Sequence, residues 1–513
     1  MTEPARMVGA DALPPVPPTL AHLLIDAATR APQAEALVCG DLRLTYAQYL
    51  NAAVALANDL GAQGASGERV ALLLGNSAEM AVATFATHLV GAQAVLLNPI
   101  YTARELSVII EDAEPALLLH QASYAELVAA IKSHKGRTQI LDCRHLQIDK
   151  PAELASPLPT PETFATLQYT GGTTGRPKGV NLKHRSLAIN VAQREALLPT
   201  RESGERILCV TPLCHSYATS MALYLSAYCA GVLVILPKYS AEAVLKTLES
   251  ERITIFPGSP TIFVGLMAHP YFAEANFSAL RLCYSGSAAL PAATLAQWEG
   301  RVCCKIYEGF GQTEAGPVLT FNAVGQETKP GAVGMPLPRT EIEIVDLESG
   351  RTVLNRGQAG EVRARGPQIM SGYRNALEET AKALRDGWLY TGDIGAIEDD
   401  GTLTIRGRKK EMVIVGGYNV FPREVEDVLL SFPGVSEAAV VGAPDSYRGE
   451  SVRAFVIAEK SMVLDPASLL THCTQNLARY KVPASIEIRS DLPKTAVGKI
   501  DKVALEAEVQ AKS

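Results

Sequence analysis

Leu167-Gln-Tyr-Thr-Gly-Gly-Thr-Thr-Gly-Arg-Pro-Lys-Gly-Val180 is the stretch on which the reading of this chain turns. Between residues 170 and 179 it crowds four glycines, three threonines and Lys178. Glycines let backbone N–H groups close on an anion, hydroxyls donate to it, and a lysine supplies a point charge. A plain surface turn has no use for three hydroxyls and a Pro-Lys-Gly exit, so the loop reads as a polyphosphate cradle. It lacks the Gly-Lys-Ser/Thr that closes a Walker A loop, which points to a different nucleotide-binding class.

Four further segments are as dense in functional groups. Tyr307-Glu-Gly-Phe-Gly-Gln-Thr-Glu-Ala-Gly-Pro317 begins like a dinucleotide fingerprint. Glu314 stands where the third glycine would be, however, and a carboxylate there repels pyrophosphate. An aromatic against a base, a threonine for phosphate and a glutamate for Mg2+ suit a nucleotide site better. In Trp388-Leu-Tyr-Thr-Gly-Asp-Ile394, Asp393 after a Gly turn can accept from both hydroxyls of a ribose; taken alone, an aspartate in a turn is more often a turn-former. Arg406-Gly-Arg-Lys-Lys-Glu-Met-Val-Ile-Val-Gly-Gly-Tyr-Asn419 joins a charged connector to an apolar strand and a Gly-Gly loop, as a hinge does, though a solvated charge run would look the same. Leu492-Pro-Lys-Thr-Ala-Val-Gly-Lys-Ile500 sets Lys499 near the chain end, where a lone lysine is ordinarily just solvated.

Around these segments, short apolar runs alternate with helical patterns. Residues 69–74, 94–97, 116–119 and 231–236 read as strands, and residues 77–90 and 103–112 as helices between them. Continuous apolar strands interleaved with helices imply parallel sheets covered on both faces. From about Glu341 the pattern changes to polar–apolar alternation, which marks half-exposed antiparallel strands. The last hundred or so residues read as an α+β unit. It has helices at 422–430 and 465–478 and strands at 435–441, 451–457 and 485–489. The fold class is therefore α/β: a large N-terminal domain of parallel-rich αβ sheets with a small β-barrel-like subdomain, then a small mobile α+β C-terminal domain. The proline-rich segment 13–18 reads as a surface arm.

Bulk properties exclude several classes. The 513 residues carry a net charge of −7, which argues against a nucleic-acid surface. Nine scattered cysteines without a CxxC pair fit a reducing compartment. Residues 1–12 lack the apolar run of a signal peptide. The most apolar stretch, 80–97, contains His88 and Gln93 and reads as buried helix and strand rather than a membrane span. A cytoplasmic protein without stable membrane insertion is expected.

In this order and spacing the five segments resemble the acyl-adenylate-forming superfamily of acyl-CoA synthetases, nonribosomal-peptide adenylation domains and beetle luciferases, from about residue 20 to 505. Gly171, where many relatives carry serine, is similar to bacterial fatty acyl-CoA synthetases, as are Gln193 and Glu308-Gly309. The resemblance implies ATP, Mg2+ and coenzyme A, and a role for each matching position. Thr170, Gly171, Gly172, Thr173, Thr174, Gly175 and Lys178 would hold the β- and γ-phosphates. Phe310 and Gly311 would lie by adenine, Thr313 would contact phosphate, and Glu314 would hold Mg2+. Asp393 and Arg408 match ribose ligands, and His215 matches the residue flanking the carboxylate pocket. Lys499 matches the lysine that bridges the acyl carboxylate and α-phosphate. Gly416 and Gly417 match the loop lining the thiol tunnel. Lys410 falls at the hinge between a domain of residues 1–409 and one of residues 410–513. Two steps are implied: in-line attack of a carboxylate on the α-phosphate, then rotation of the small domain and attack of a thiol on the adenylate.

The acyl pocket is expected to include His215, Met221, Gly258, Ser259, Gly309 and Gly316. Gly309 and Gly316 read as leaving room for a chain. No arginine or lysine falls among these positions to pair with a second carboxylate, and an unpaired buried charge is costly. The expected acid is therefore a medium- or long-chain fatty acid. The alternatives are an aryl acid of benzoate or cinnamate type, and a free-standing carrier protein as the acceptor. A homodimer is compatible with the sequence.

Overall fold

The computed structural model describes residues 3–131, 139–142, 151–170, 177–201, 204–286, 290–326, 329, 331–445, 447–460, 462–495 and 499–512. Gly171, Gly172, Thr173, Thr174 and Gly175 lie outside them.

Two parallel-rich sheets form the bulk of the molecule. In the first, Phe164–Thr170, Gln93–Leu96, Arg69–Leu73, Leu117–His120 and Gln139–Asp142 run parallel, and Lys178–Lys183 and Gly372–Tyr373 extend one edge antiparallel. In the second, Ile306–Gly311, Leu282–Ser285, Ile255–Gly258, Arg206–Cys209, Val232–Ile235 and Glu35–Cys39 are parallel. The strands predicted from continuous apolar runs are thus central strands, buried on both faces. The helix Ala78–Leu89 between two of them is buried almost all round, which explains why its apolar pattern has no polar face. Helix Ala103–Ala113 opens with a capping box: the Thr102 Oγ1 accepts from the Glu105 N–H and the Glu105 carboxylate accepts from the Thr102 N–H.

A third sheet is antiparallel, formed by Arg6–Val8, Glu341–Val345, Gly360–Arg365, Trp388–Ile397 and Leu384–Arg385, with Leu403–Arg408 paired to Trp388–Ile397. The barrel-like unit expected here takes the form of a sheet with an open path. Its first strand was not foreseen: the chain start pairs with Glu341–Val345 and fixes the proline-rich arm at one end.

From Leu403–Arg408 the chain passes through a single turn, Lys409–Glu411, into the C-terminal unit. There Val435–Asp445 and Gly449–Ala458 form a long hairpin flanked by Val413–Val415, Tyr418–Val420 and Ser485–Arg489. Helices Pro422–Leu430, Pro466–Asn476 and Lys502–Lys512 cover it. One cluster of its core draws only on residues between Val413 and Ile488. No helix among the described residues is long and apolar enough to cross a membrane. All eight described cysteines are free.

Candidate active site

In open parallel sheets, ligands sit beyond the carboxyl ends of the strands. Several of the sequence-selected residues gather there. Thr170 ends one central strand, and Gly258 and Gly311 end two others. Pro212-Leu-Cys-His215 follows a fourth, Arg206–Cys209. A cavity of about 370 Å3 is lined by Thr170, Lys178, Glu314, Arg408 and Lys410. Gln312, Tyr373, Tyr390, Thr391, Gly392 and Lys409 complete its wall and were not anticipated. A larger cavity of about 540 Å3 opens among Arg43, Arg206 and Thr254, and none of the candidate residues lines it.

Thr170 and Lys178 face each other across the ladder that opens and closes the glycine-rich loop. The Lys178 Nζ reaches the Glu379 carboxylate at 2.5 Å and lies 5.2 Å from the centre of the Tyr373 ring. The Tyr373 hydroxyl donates to the Glu314 Oε1 at 2.9 Å, so an acid and a base of the cavity share one tyrosine. The Thr313 Oγ1 lies 3.1 Å from the Ser216 Oγ, which ties the phosphate side to the turn bearing His215. Gly311 has no room for a side chain, since a Cβ would sit 2.0 Å from the Pro317 carbonyl oxygen. Gly316 has φ +77°, the left-handed region that glycine tolerates.

Asp393 is 3 % exposed, and its Oδ1 accepts from the Arg408 Nε at 2.8 Å. Its Oδ2 is buried without a partner among the described residues. Burial raises this carboxyl to about 6, against the pull of Arg408. An unspent carboxylate oxygen beside a guanidinium is what a vicinal diol requires, and it fits a ribose. For Mg2+ the chain offers one carboxylate, Glu314. No cluster of three or more metal-ligating side chains occurs among the described residues. That donor set fits Mg2+, which usually takes one or two carboxylates with phosphates and waters.

Lys499 is exposed as a residue, while its ammonium end stands near Arg408, Asp393 and Glu411. Burial and the neighbouring Arg408 pull its ammonium down to about 8, against support from Asp393 and Glu411. Across the cleft, burial and the charge of Lys499 hold the His215 imidazole down at about 4. The His215 Nδ1 accepts from the Tyr217 N–H at 3.3 Å, so the neutral ring carries its proton on Nε2 as a donor. Gly416 and Gly417 are exposed, at φ +57° and +85°, beside Tyr418 at 61 % exposure. They lie on the small domain away from the cavity lining.

The expected acyl-pocket residues are placed less simply. Met221 is fully buried in the helical segment after His215, and Ser259 caps helix Pro260–Met267. The room read into Gly309 and Gly316 is not there. A Cβ on Gly309 would meet the Phe321 ring at 2.8 Å, one on Gly316 the Gln368 carbonyl oxygen at 2.6 Å, and one on Gly258 the Phe263 ring at 2.9 Å. These glycines let elements approach; in the Cβ direction they do not open a channel. Beside the turn that bears His215 the packed interior is aromatic. Tyr217 lies over Gly286, its hydroxyl donates to the Tyr284 carbonyl at 3.4 Å, and the Tyr284 ring packs edge-on against Phe321.

Residues 24–374 match the AMP-binding enzyme family, and residues 424–499 match the AMP-binding enzyme C-terminal domain. A long-chain-fatty-acid–CoA ligase of Bacillus subtilis (strain 168) is 36% identical over 94% of this chain and 93% of its own. A feruloyl-CoA synthase of Amycolatopsis sp is 36% identical over 93% of this chain and 96% of its own. Among solved structures, the anthranilate CoA ligase AuaEII in complex with anthranoyl-AMP superposes with a TM-score of 0.91 at 29% identity, covering 97% of this chain and 98% of that one. ATP-bound MatB from Rhodopseudomonas palustris superposes with a TM-score of 0.88 at 31% identity, covering 95% and 98%.

Proposed function

The chain belongs to the AMP-binding enzyme family as an AMP-forming acid–CoA ligase, and from that premise we propose that it activates a compact aryl carboxylic acid with ATP and passes the acyl group to coenzyme A. The observation that carries the choice of acid is the aromatic packing that fills the interior beside the turn bearing His215, which leaves less room for a long chain. Tyr217, Tyr284 and Phe321 are all buried, and their rings suit a flat acyl group better than a long flexible chain.

The residues divide the work. Lys178, with Thr170 and the loop outside the described residues, holds the β- and γ-phosphates, and must exchange Glu379 for phosphate as ATP enters. The Asp393 Oδ2 accepts from the ribose hydroxyls, with Arg408 fixing its other oxygen. Thr313 donates to phosphate, and Phe310 lies by the base. Glu314 would hold Mg2+, which when bound neutralises phosphate charge. The His215 Nε2–H donates to the acyl carboxylate and aims one oxygen at the α-phosphate. Lys499 spans carboxylate and α-phosphate and stabilises charge there in the transition state. Little covalent chemistry is asked of the protein, so positioning and charge neutralisation dominate. After pyrophosphate leaves, residues 410–513 turn about Lys410, Lys499 withdraws, and Gly416 and Gly417 come to line the thiol path. The thiol attacks the mixed anhydride and AMP departs.

A second reading, a medium- or long-chain fatty acid, rests on the similarity to long-chain-fatty-acid–CoA ligases. One panel separates them: AMP release with ATP, Mg2+ and CoA across benzoates, cinnamates and straight-chain acids of increasing length. A maximum among ring acids supports the aryl reading, and a maximum among fatty acids overturns it. Pyrophosphate exchange without CoA-dependent AMP release would give the acceptor role to a carrier protein.

A further inference from the structure

The cavity of about 540 Å3 opens at the other end of the second sheet from the candidate active site. Arg206 on its wall is the first residue of strand Arg206–Cys209, and Thr254 immediately precedes strand Ile255–Gly258. The carboxyl ends of the same two strands lead to His215 and end at Gly258. A four-residue strand rises about 10 Å from end to end, so this cavity is a separate place.

Its wall is rich in arginine. Arg43, Arg201, Arg206 and Arg252 line it, against a single acid, Glu251. Two of these arginines are committed. Arg43 pairs with Glu251 at 2.5 Å and with Glu35 at 2.8 Å. Arg206 pairs with the same two carboxylates, reaching Glu35 at 2.6 Å. Each carboxylate thus holds two guanidinium groups, and the four side chains close into a neutral lattice. The next acid behind the wall, Glu205, is occupied by the Arg281 side chain, the Thr254 hydroxyl and the Arg201 N–H. The guanidinium groups of Arg201 and Arg252 are left over: both residues are exposed, and neither forms an ion pair among the described residues. Their charge stands in excess on a chain whose net charge is −7. The remaining wall supplies hydroxyls, from Ser250 and Ser278. No aromatic ring lines it on which a base could stack.

We infer that this cavity is a second anion site, which takes a condensed phosphate: inorganic pyrophosphate or a short polyphosphate chain. Guanidinium forks meet phosphoryl oxygens two at a time, and hydroxyls donate to the oxygens between them. An anion seated between Arg201 and Arg252 removes the repulsion of two like charges at one concavity. Glu251 does not oppose it, because both of its oxygens already accept from Arg43 and Arg206. The space is larger than a single phosphate fills, and the missing aromatic disfavours a nucleotide. The site does not depend on which acid the enzyme activates. Because its free arginines are exposed, added salt weakens it.

The test is calorimetric titration of the whole protein with tripolyphosphate at low ionic strength without Mg2+. The natural protein is expected to bind at two places. Lys178→Ala should weaken one, the candidate active site, and spare the other. Arg201→Ala combined with Arg252→Gly should weaken the other by about tenfold or more, the scale of losing charge-assisted hydrogen bonds. Adenylate formation in that variant should be unchanged. Glycine accepts the φ of +49° at Arg252, and both side chains are exposed, so the fold is kept. Pyrophosphate binding there as tightly as tripolyphosphate would make the free diphosphate the ligand; tripolyphosphate binding about tenfold tighter would make it a chain. A single binding event in the natural protein, a second event that survives the double variant, or sulfate binding as tightly as tripolyphosphate overturns the site.

Discussion

Two faces of the small domain differ sharply. Toward the large domain it holds out Lys499, whose ammonium lies near Arg408, Asp393 and Glu411 and close enough to His215 to depress its imidazole. Toward solvent it holds out Gly416 and Gly417 on an exposed turn where an added Cβ would touch nothing. One face is charged and committed; the other is neutral, open and unused in this arrangement. On the proposed mechanism, the difference assigns the two faces to the two half-reactions, with the Lys499 face serving adenylate formation. On the same proposal a thiol is served after the small domain turns and exchanges its faces, and the turn at Lys409–Glu411 is the connector about which it would do so.

The largest effect should come from removing the committed face. Lys499→Ala is expected to cut adenylate formation by about 10²–10³, the usual scale for deleting one transition-state donor. Thioesterification of a supplied acyl-adenylate should change less than about threefold on the same grounds. Pyrophosphate release and the CoA reaction of synthetic adenylate, measured separately, check it. Equal loss in both would end the division of labour.

The converse changes are Lys410→Pro and Gly417→Leu. Proline removes an N–H and fixes φ at the turn, and leucine resists the left-handed backbone at Gly417. Each should slow the thiol step by about tenfold or more with adenylation held within threefold, since about 1.4 kcal/mol of lost alignment is already tenfold. Adenylate accumulating on the enzyme is the signature, and normal turnover in Lys410→Pro would place the pivot elsewhere.

Asp393→Asn probes what both faces share, the bound nucleotide. It leaves the buried position filled but weakens acceptance from the ribose and strands Arg408. The KM for ATP should rise about 10–100-fold, or about 1.4–2.7 kcal/mol. The KM for the acid should move far less, and equal shifts in both would mean that the third sheet had been disturbed.

The same contrast explains what could be read from sequence. Thr170, Lys178 and Glu314 stand in contiguous segments of unusual composition, so they could be singled out before the structure set them around one cavity. The acyl side was not. Tyr217, Tyr284 and Phe321 come from separate elements, and only packing brings their side chains together beside the turn that bears His215. Gly309 and Gly316 misled for a related reason. A missing Cβ means space only if nothing else fills it, and here Phe321 and Gln368 do. The strand Arg6–Val8 escaped notice because three residues carry no periodic signal, while their partners lie more than three hundred residues away.

The smallest effect is a pH profile, and it separates the faces without a mutation. In the free enzyme Asp393 must be ionised to accept from ribose, and burial raises it to about 6. Lys499 must be protonated to meet phosphate, and burial with Arg408 lowers it to about 8. The kcat/KM for ATP in adenylate formation should therefore be a bell, falling below about 6 as Asp393 gains a proton and above about 8 as Lys499 loses one. Between pH 7 and 8.5 the loss on the alkaline side should be about fourfold. His215, held at about 4, is neutral throughout and adds no limb. Bound ATP brings anionic phosphate to Lys499 and should move the alkaline limb of kcat to higher pH than that of kcat/KM. Thioesterification of a supplied adenylate should keep the acid limb, because AMP still needs Asp393, and should lack the alkaline limb, because Lys499 has turned away. An alkaline limb near 8 in both half-reactions would mean that Lys499 never leaves the cleft.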